Sequence, residues 1–349
     1  MRSFGLALGG FVLAAALAAC GGGSGMVTPT VSPTPTASPT PVPTGYHEYL
    51  VPTASSFPYG IAKGSDGNLW FTENAGNKIG KITTAGAITE YTIPTAGSQP
   101  YGITPAAGNG AALWFTEYVG NKIAQITTSG TVTEYPVPTA SAGPWGIATD
   151  PSGNVWFTEY AANQIGEYTT AGQFKEYKIT SMGAAPLNIA SGPDGNLWFT
   201  ESLIGKIGQI NPATGAITEF TTPTANSGPS FITPGPAGSN TLWFSEYKIG
   251  RVAQITTAGA ITEYPLLTAS GANPNGIVLA PDNSLWVLEF GNGQIAHVVP
   301  NPAATPTVTE YGILTGNSSP TSAVIGPDNG LWFTETAPAA NKIGRRQIP

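Results

Sequence analysis

The stretch that decides the fold is YHEYLVPT, residues 46–53. It reads as the end of a unit rather than the beginning of one. ITEYTIPT (88–95), VTEYPVPT (132–139) and ITEFTTPT (217–224) recur downstream, each closing a longer segment. The last segment, ending in KIGRRQIP (342–349), carries no such closing piece of its own. The two fragments complement each other.

Between them runs a repeat. Its clearest marker is LWFTE, at 69–73, 113–117, 155–159 (as VWFTE), 197–201, 242–246 (LWFSE), 285–289 (LWVLE) and 331–335. The marker tryptophans are Trp70, Trp114, Trp156, Trp198, Trp243, Trp286 and Trp332, spaced 44, 42, 42, 45, 43 and 46 residues apart. Each unit reads as four short strands. In the first, YGIA (59–62) leads through the turn SDGN into LWFTE, NAGN turns into KIGKIT, and TAG turns into AITEYTI. Asp-Gly and Ala-Gly pairs supply the positive φ that tight hairpins need. No segment carries a helical hydrophobic period of useful length.

Four antiparallel strands per unit of this length, repeated seven times, predict an all-β, seven-bladed β-propeller over residues 45–349. YHEYLV is then the fourth strand of the last blade, and it closes the ring. An open solenoid would need end caps instead. A closed ring of this kind is expected to be a single domain and a monomer.

Residues 1–19 read as a signal peptide, with Arg2 in the n-region and an apolar stretch too short for a stable membrane span. Leu17-Ala18-Ala19-Cys20 resembles a bacterial lipobox, which implies cleavage before Cys20 and acylation of its thiol. Cys20 is the only cysteine, so no disulfide forms within the chain. Residues 20–44 carry this cysteine and a Gly/Ser then Pro/Thr linker that favours an extended spacer. The expected location is the cell envelope, on a membrane through the lipid anchor. Gly21 after the cysteine resembles outer-membrane sorting in a Gram-negative host.

Charge is scarce, at 9% of residues, and mostly periodic. Of 20 acidic residues, seven stand in the marker column, Glu73, Glu117, Glu159, Glu201, Glu246, Glu289 and Glu335. Seven more stand in the fourth-strand column, from Glu48 and Glu90 to Glu310. Opposite the marker glutamates lie Lys78, Lys122, Gln164, Lys206, Arg251, Gln294 and Lys342, so a cross-strand ion pair or a backbone hydrogen bond is the structural expectation. Glu159 and Glu289 face glutamines and have the best claim to another use. The net charge of −7 speaks against nucleic acid.

One column varies while the rest repeats. After the loop prolines stand Tyr59, Tyr101, Trp145, Leu187, Ser230, Asn275 and Thr321, around one mouth of the ring. The aromatic members suit a ligand with ring surfaces, or else they plug the channel. His47 and His297, the only histidines, fall in columns read as surface. There is no His-Cys metal spacing and no phosphate loop.

The units resemble the streptogramin B (virginiamycin B) lyase family, over residues 46–349, in the pattern LWFTExxGNKIGxITTxGxITEYxIPT. The resemblance implies a seven-bladed propeller. For the characterised activity it implies magnesium-dependent elimination at the ester of a cyclic depsipeptide, with a histidine base. The family histidines follow loop prolines of the sixth and seventh blades, where this chain has Asn275 and Thr321. A family metal-binding glutamate corresponds to Ser319, leaving Glu335, and with it Glu289, as the metal candidates. The expectation is therefore a non-catalytic, lipid-anchored propeller that uses no cofactor. It would bind an unidentified small molecule, peptide or envelope protein through Tyr59, Tyr101, Trp145, Ser230, Asn275 and Thr321. The alternative is a lyase of this family that retains magnesium.

Overall fold

The computed structural model describes residues 45–108, 110–301 and 304–348. The signal peptide, Cys20 and the Pro/Thr linker lie outside the described residues.

The described residues form 28 strands in seven four-stranded antiparallel sheets, with no helix among them. Blade one comprises Pro58–Lys63, Leu69–Glu73, Lys78–Ile82 and Ile88–Thr92, ordered from the channel outwards. The last blade comprises Pro320–Ile325, Leu331–Glu335 and Lys342–Arg346, with Tyr46–Leu50 as its outer strand. Tyr46 pairs with Arg346 and Leu50 with Lys342, so the N-terminal strand closes the ring as its sequence requires.

The marker strand is buried along its whole length, because neighbouring blades cover both its faces. The outer strand alternates half-buried and exposed. The apolar core is therefore not one central body but a series of seams between blades. Trp70 of blade one packs with Leu113 and Phe115 of blade two. Asp66, Asp150, Asp194 and Asp328 of the first hairpins accept the indole N–H groups of Trp70, Trp156, Trp198 and Trp332 at 2.9–3.2 Å.

Asparagines tie four of the blades to the loop leaving them. Asn341, at φ 46°, donates to the carbonyls of Val51 and Thr53. Its Oδ1 accepts from the Ser56 N–H at 2.9 Å. Asn77 and Asn121 repeat the arrangement without the closure role. Asparagine tolerates this left-handed backbone better than other side-chain-bearing residues.

Candidate functional site

The connections into the first strand and between the second and third strands open on one side, since Pro58, Glu73 and Lys78 share one end of the blade. Here every first strand carries a bulge. Pro58 pairs with Glu73 and Ile61 with Phe71, leaving Tyr59-Gly60 as the extra length. The same shift recurs at Trp145-Gly146 and at Asn275-Gly276. A bulge re-aims side chains, and these bulges sit at the variable column. Gly60 is required by close approach, as a Cβ there would lie 2.4 Å from the Tyr101 carbonyl.

The marker hydroxyls fix the column. Thr72 Oγ1 accepts from the Gly60 N–H and donates to the Tyr101 carbonyl, both at 2.8 Å. Thr116, Thr158, Thr200, Ser245 and Thr334 do the same for Trp145, Leu187, Ser230, Asn275 and Tyr59. The sixth blade breaks this ring, with Leu288 in the hydroxyl position. Thr321 is held instead through its own hydroxyl, which donates to the Ser319 carbonyl at 3.0 Å and lies 2.6 Å from the Thr336 hydroxyl.

The mouth divides into two arcs. Tyr101 stacks on Trp145 with ring centroids 3.9 Å apart, and Tyr59 meets Tyr101 edge-on at 4.8 Å. Tyr118 and Tyr160 complete the cluster against Trp145 at 5.4 and 5.2 Å. On the other arc the Ser230 hydroxyl donates to Asn275 Oδ1 at 2.6 Å, and Thr321 is fully buried. Below the rings a cavity of about 60 Å³ is lined by Asn188, Phe231 and Ser322 among others. That is space for water rather than for a drug-sized molecule. A larger ligand would rest on the rings from outside.

The sequence reading missed Tyr118, Tyr160, Leu288 and Thr336. Tyr118, Tyr160 and Thr336 belong to a second variable column, directly after the marker glutamate, which also holds Asn74, Ser202, Tyr247 and Phe290. Leu288 was visible as the one non-hydroxyl residue in the marker's fourth position.

The marker glutamates correct the expected ion pair. Lys78 does stand opposite Glu73, but its ammonium reaches Glu90 of the outer strand at 2.7 Å. Lys122, Lys206, Arg251 and Lys342 likewise pair with Glu134, Glu219, Glu263 and Glu48. A long cation takes the diagonal partner, where water reaches the pair, rather than following a carboxylate into the seam. Glu73, Glu117, Glu201, Glu246 and Glu335 are fully buried, and both oxygens of each lack a hydrogen-bond partner. The nearby Ser56 hydroxyl donates to Asn341 instead of to Glu73. Burial first, and the adjacent ionised outer carboxylate second, push Glu73 and Glu335 up to about 8. The opposing pull of Lys342 is smaller, and the Glu335 carboxyl stays raised. Glu159 and Glu289 are the exceptions with partners, accepting from Gln164 at 3.0 Å and from Asn292 at 2.7 Å.

These positions bear on magnesium. The Glu335 carboxyl lies over Gly344 of the third strand, where a Cβ would stand 2.9 Å from Oε1, and so points away from the channel. Glu289 turns likewise to Thr268 and Asn292. Among the described residues no three His, Cys, Asp or Glu side chains come together to hold a metal. Magnesium wants several ionised or carbonyl oxygens in near-octahedral array. Two buried carboxyls, each turned to neighbours within its own seam, do not make that array.

His297 also departs from its expected surface position. It is half-buried, stacked on Trp286 at 4.3 Å, and burial lowers its pKa. His47 lies on the outer closing strand beside Tyr49.

Seven near-identical blades with one variable, loop-built mouth define a β-propeller of the streptogramin-lyase type. The chain belongs to the virginiamycin B lyase family, whose sequence model matches residues 42–184 and 147–348. A streptogramin B lyase structure superposes with a TM-score of 0.79 at 34% identity, covering 87% of this chain and 97% of that one. Virginiamycin B lyase from Staphylococcus aureus gives 0.79 at 35% identity, covering 87% and 99%. A catalytically inactive histidine-to-alanine form of that enzyme, solved with quinupristin, gives 0.78 at 34% identity over the same shares. Virginiamycin B lyase of Bacillus licheniformis is 51% identical over 41 residues, a stretch spanning 12% of this chain and 14% of that protein.

Proposed function

We propose that this chain is a lipid-anchored, streptogramin-lyase-like propeller that holds a ring-bearing ligand or partner group at its mouth without cleaving it. The observation that carries this is the contrast between the two arcs. The aromatic arc offers Tyr101, Trp145 and Tyr160 as a preassembled stacking surface. On the opposite arc, Asn275 is spent on Ser230 and Thr321 on Thr336. Neither can take a proton near neutral pH, whereas elimination requires a positioned base. An exported location, with Cys20 acylated and residues 21–44 as spacer, is part of the same proposal.

The alternative is a magnesium-dependent carbon–oxygen lyase acting on a cyclic depsipeptide. Family membership favours it. The buried, outward-turned Glu335 and Glu289 speak against it.

The test of binding is a thermal-shift screen of residues 45–349 against aromatic small molecules and cyclic peptides. A stabilising compound whose effect disappears in Trp145→Ala supports the proposal. A screen without any such compound, or one whose hits bind Trp145→Ala equally well, contradicts it.

A further inference from the structure

The opposite face of the ring carries a second site. It lies between blades two and three, away from the mouth, and it exists because two positions leave the repeat together.

The first is the hairpin before Trp114. It has no aspartate, so the indole N–H of Trp114 makes no hydrogen bond among the described residues. Trp243 and Trp286 also lack an acceptor, but they are sealed, at 1% and 0% exposure. Trp114 is 8% exposed and lines an open cavity.

The second is Tyr168. The fifth residue of the third strand is Ile82, Ile126, Ile210, Ile255 or Val298 in five blades. Tyr168 stands there in blade three and wedges against Trp114 and Tyr135, at 5.6 and 5.0 Å. Elsewhere the marker tryptophan stacks on its outer-strand ring at 13–26°. Trp114 and Tyr135 are tilted by 40°. The seventh blade has the other exception, Arg346, but its guanidinium fills the gap by lying 3.9 Å over Tyr311. In blade three the gap stays open as a cavity of about 360 Å³, within the range of small-molecule sites.

The groups around it are aromatic planes and neutral hydrogen-bonding side chains. Gln125 stands directly across from Trp114, and its amide makes no hydrogen bond. The Thr170 hydroxyl is likewise uncommitted, and no charged residue lines the cavity. Flat rings attract C–H faces, while a neutral amide, a hydroxyl and an indole N–H need a partner that both donates and accepts. The geometry points to a binding site for a neutral saccharide, with a pyranose ring against Trp114, Tyr135 and Tyr168 and its hydroxyls on Gln125, Thr170 and the indole N–H. A proline-rich peptide would also lie on aromatic rings, but prolyl residues donate no hydrogen bond and would leave the Gln125 Oε1 unmatched.

Saturation-transfer NMR on residues 45–349, with maltotriose and N,N′-diacetylchitobiose as probes, tests the site. At least one sugar should receive saturation on its ring protons, and Tyr168→Ile, which restores the aliphatic residue of the other blades, should abolish the transfer at an unchanged melting temperature. Should that variant melt early, Gln125→Ala supplies the comparison, with an expected affinity loss of at least about fivefold. Transfer to neither sugar, or full transfer in both variants, would overturn the assignment. So would binding at this site by a polyproline peptide in place of the sugars.

Discussion

Glu48, in the first strand of the ring, meets Lys342 of its last strand at 2.5 Å. The same carboxylate accepts the Thr315 N–H and hydroxyl at 2.8 and 2.7 Å. One side chain thus binds the outer strand to the blade before it and to its own sheet, across 294 positions of sequence. Deleting residues 45–51 removes this strand together with the buried Tyr46 and Val51, and exposes an unpaired sheet edge. The truncated protein is expected to aggregate or melt far below the intact ring. Glu48→Gln, which leaves the strand in place, should cost about 1–3 kcal/mol in chemical denaturation. Equal melting temperatures for the truncated and intact proteins would refute the closure.

The marker glutamates set a pH dependence whose sign is fixed. Glu73 is raised from the ordinary carboxylate range to about 8, so the fold favours its protonated form. Its contribution to stability is complete at or below the unfolded value near 4.5 and is lost progressively as pH rises to about 8. Partial burial opposes ionisation of Glu90, Glu134, Glu219 and Glu263, but their hydrogen bonds and cations outweigh it and lower them, so their contribution is lost as pH falls below that same value. Urea denaturation should therefore show Glu73→Gln gaining on the wild type between pH 5 and pH 8.5. Wild-type protein gaining on the variant over that interval would show the carboxyl to be ionised in the fold.

Asp150 is 4% exposed and accepts the Trp156 indole N–H and both nitrogens of Asn154, each at 2.9 Å. Asp150→Ala leaves these donors unmatched in a buried seam. The expected loss is about 2–3 kcal/mol, as for hydrogen bonds to a charged group. A change below about 0.5 kcal/mol would mean that water replaces the carboxylate without cost.

The architecture was legible because its signal is redundant. Seven tryptophans mark the period, and YHEYLV supplies what the last unit lacks. The variable column was legible for the same reason, as an exception to repetition. The fate of the charges was not. Glu73 and Lys78 are opposite in register, and sequence spacing cannot show that the carboxyl sinks into the seam while the ammonium goes to Glu90. His297 failed similarly, since its column looked exposed while Trp286 across the strand pair offered it a ring.

The lipobox reading predicts that Cys20→Ser blocks acylation and moves the full-length protein from the membrane fraction to the soluble one. Fractionation with metabolic palmitate labelling checks this. A variant that stays with the membrane would mean that something else anchors the chain.

The central claim is that this mouth binds and does not cleave. The direct measurement is reversed-phase chromatography of quinupristin after incubation with purified residues 45–349 and magnesium. Asn275 and Thr321, each already hydrogen-bonded, supply no base at the sixth and seventh blades. The cyclic compound should be recovered intact. Its conversion to the linear product, abolished by a chelator, would contradict the claim and establish a lyase working through groups other than these.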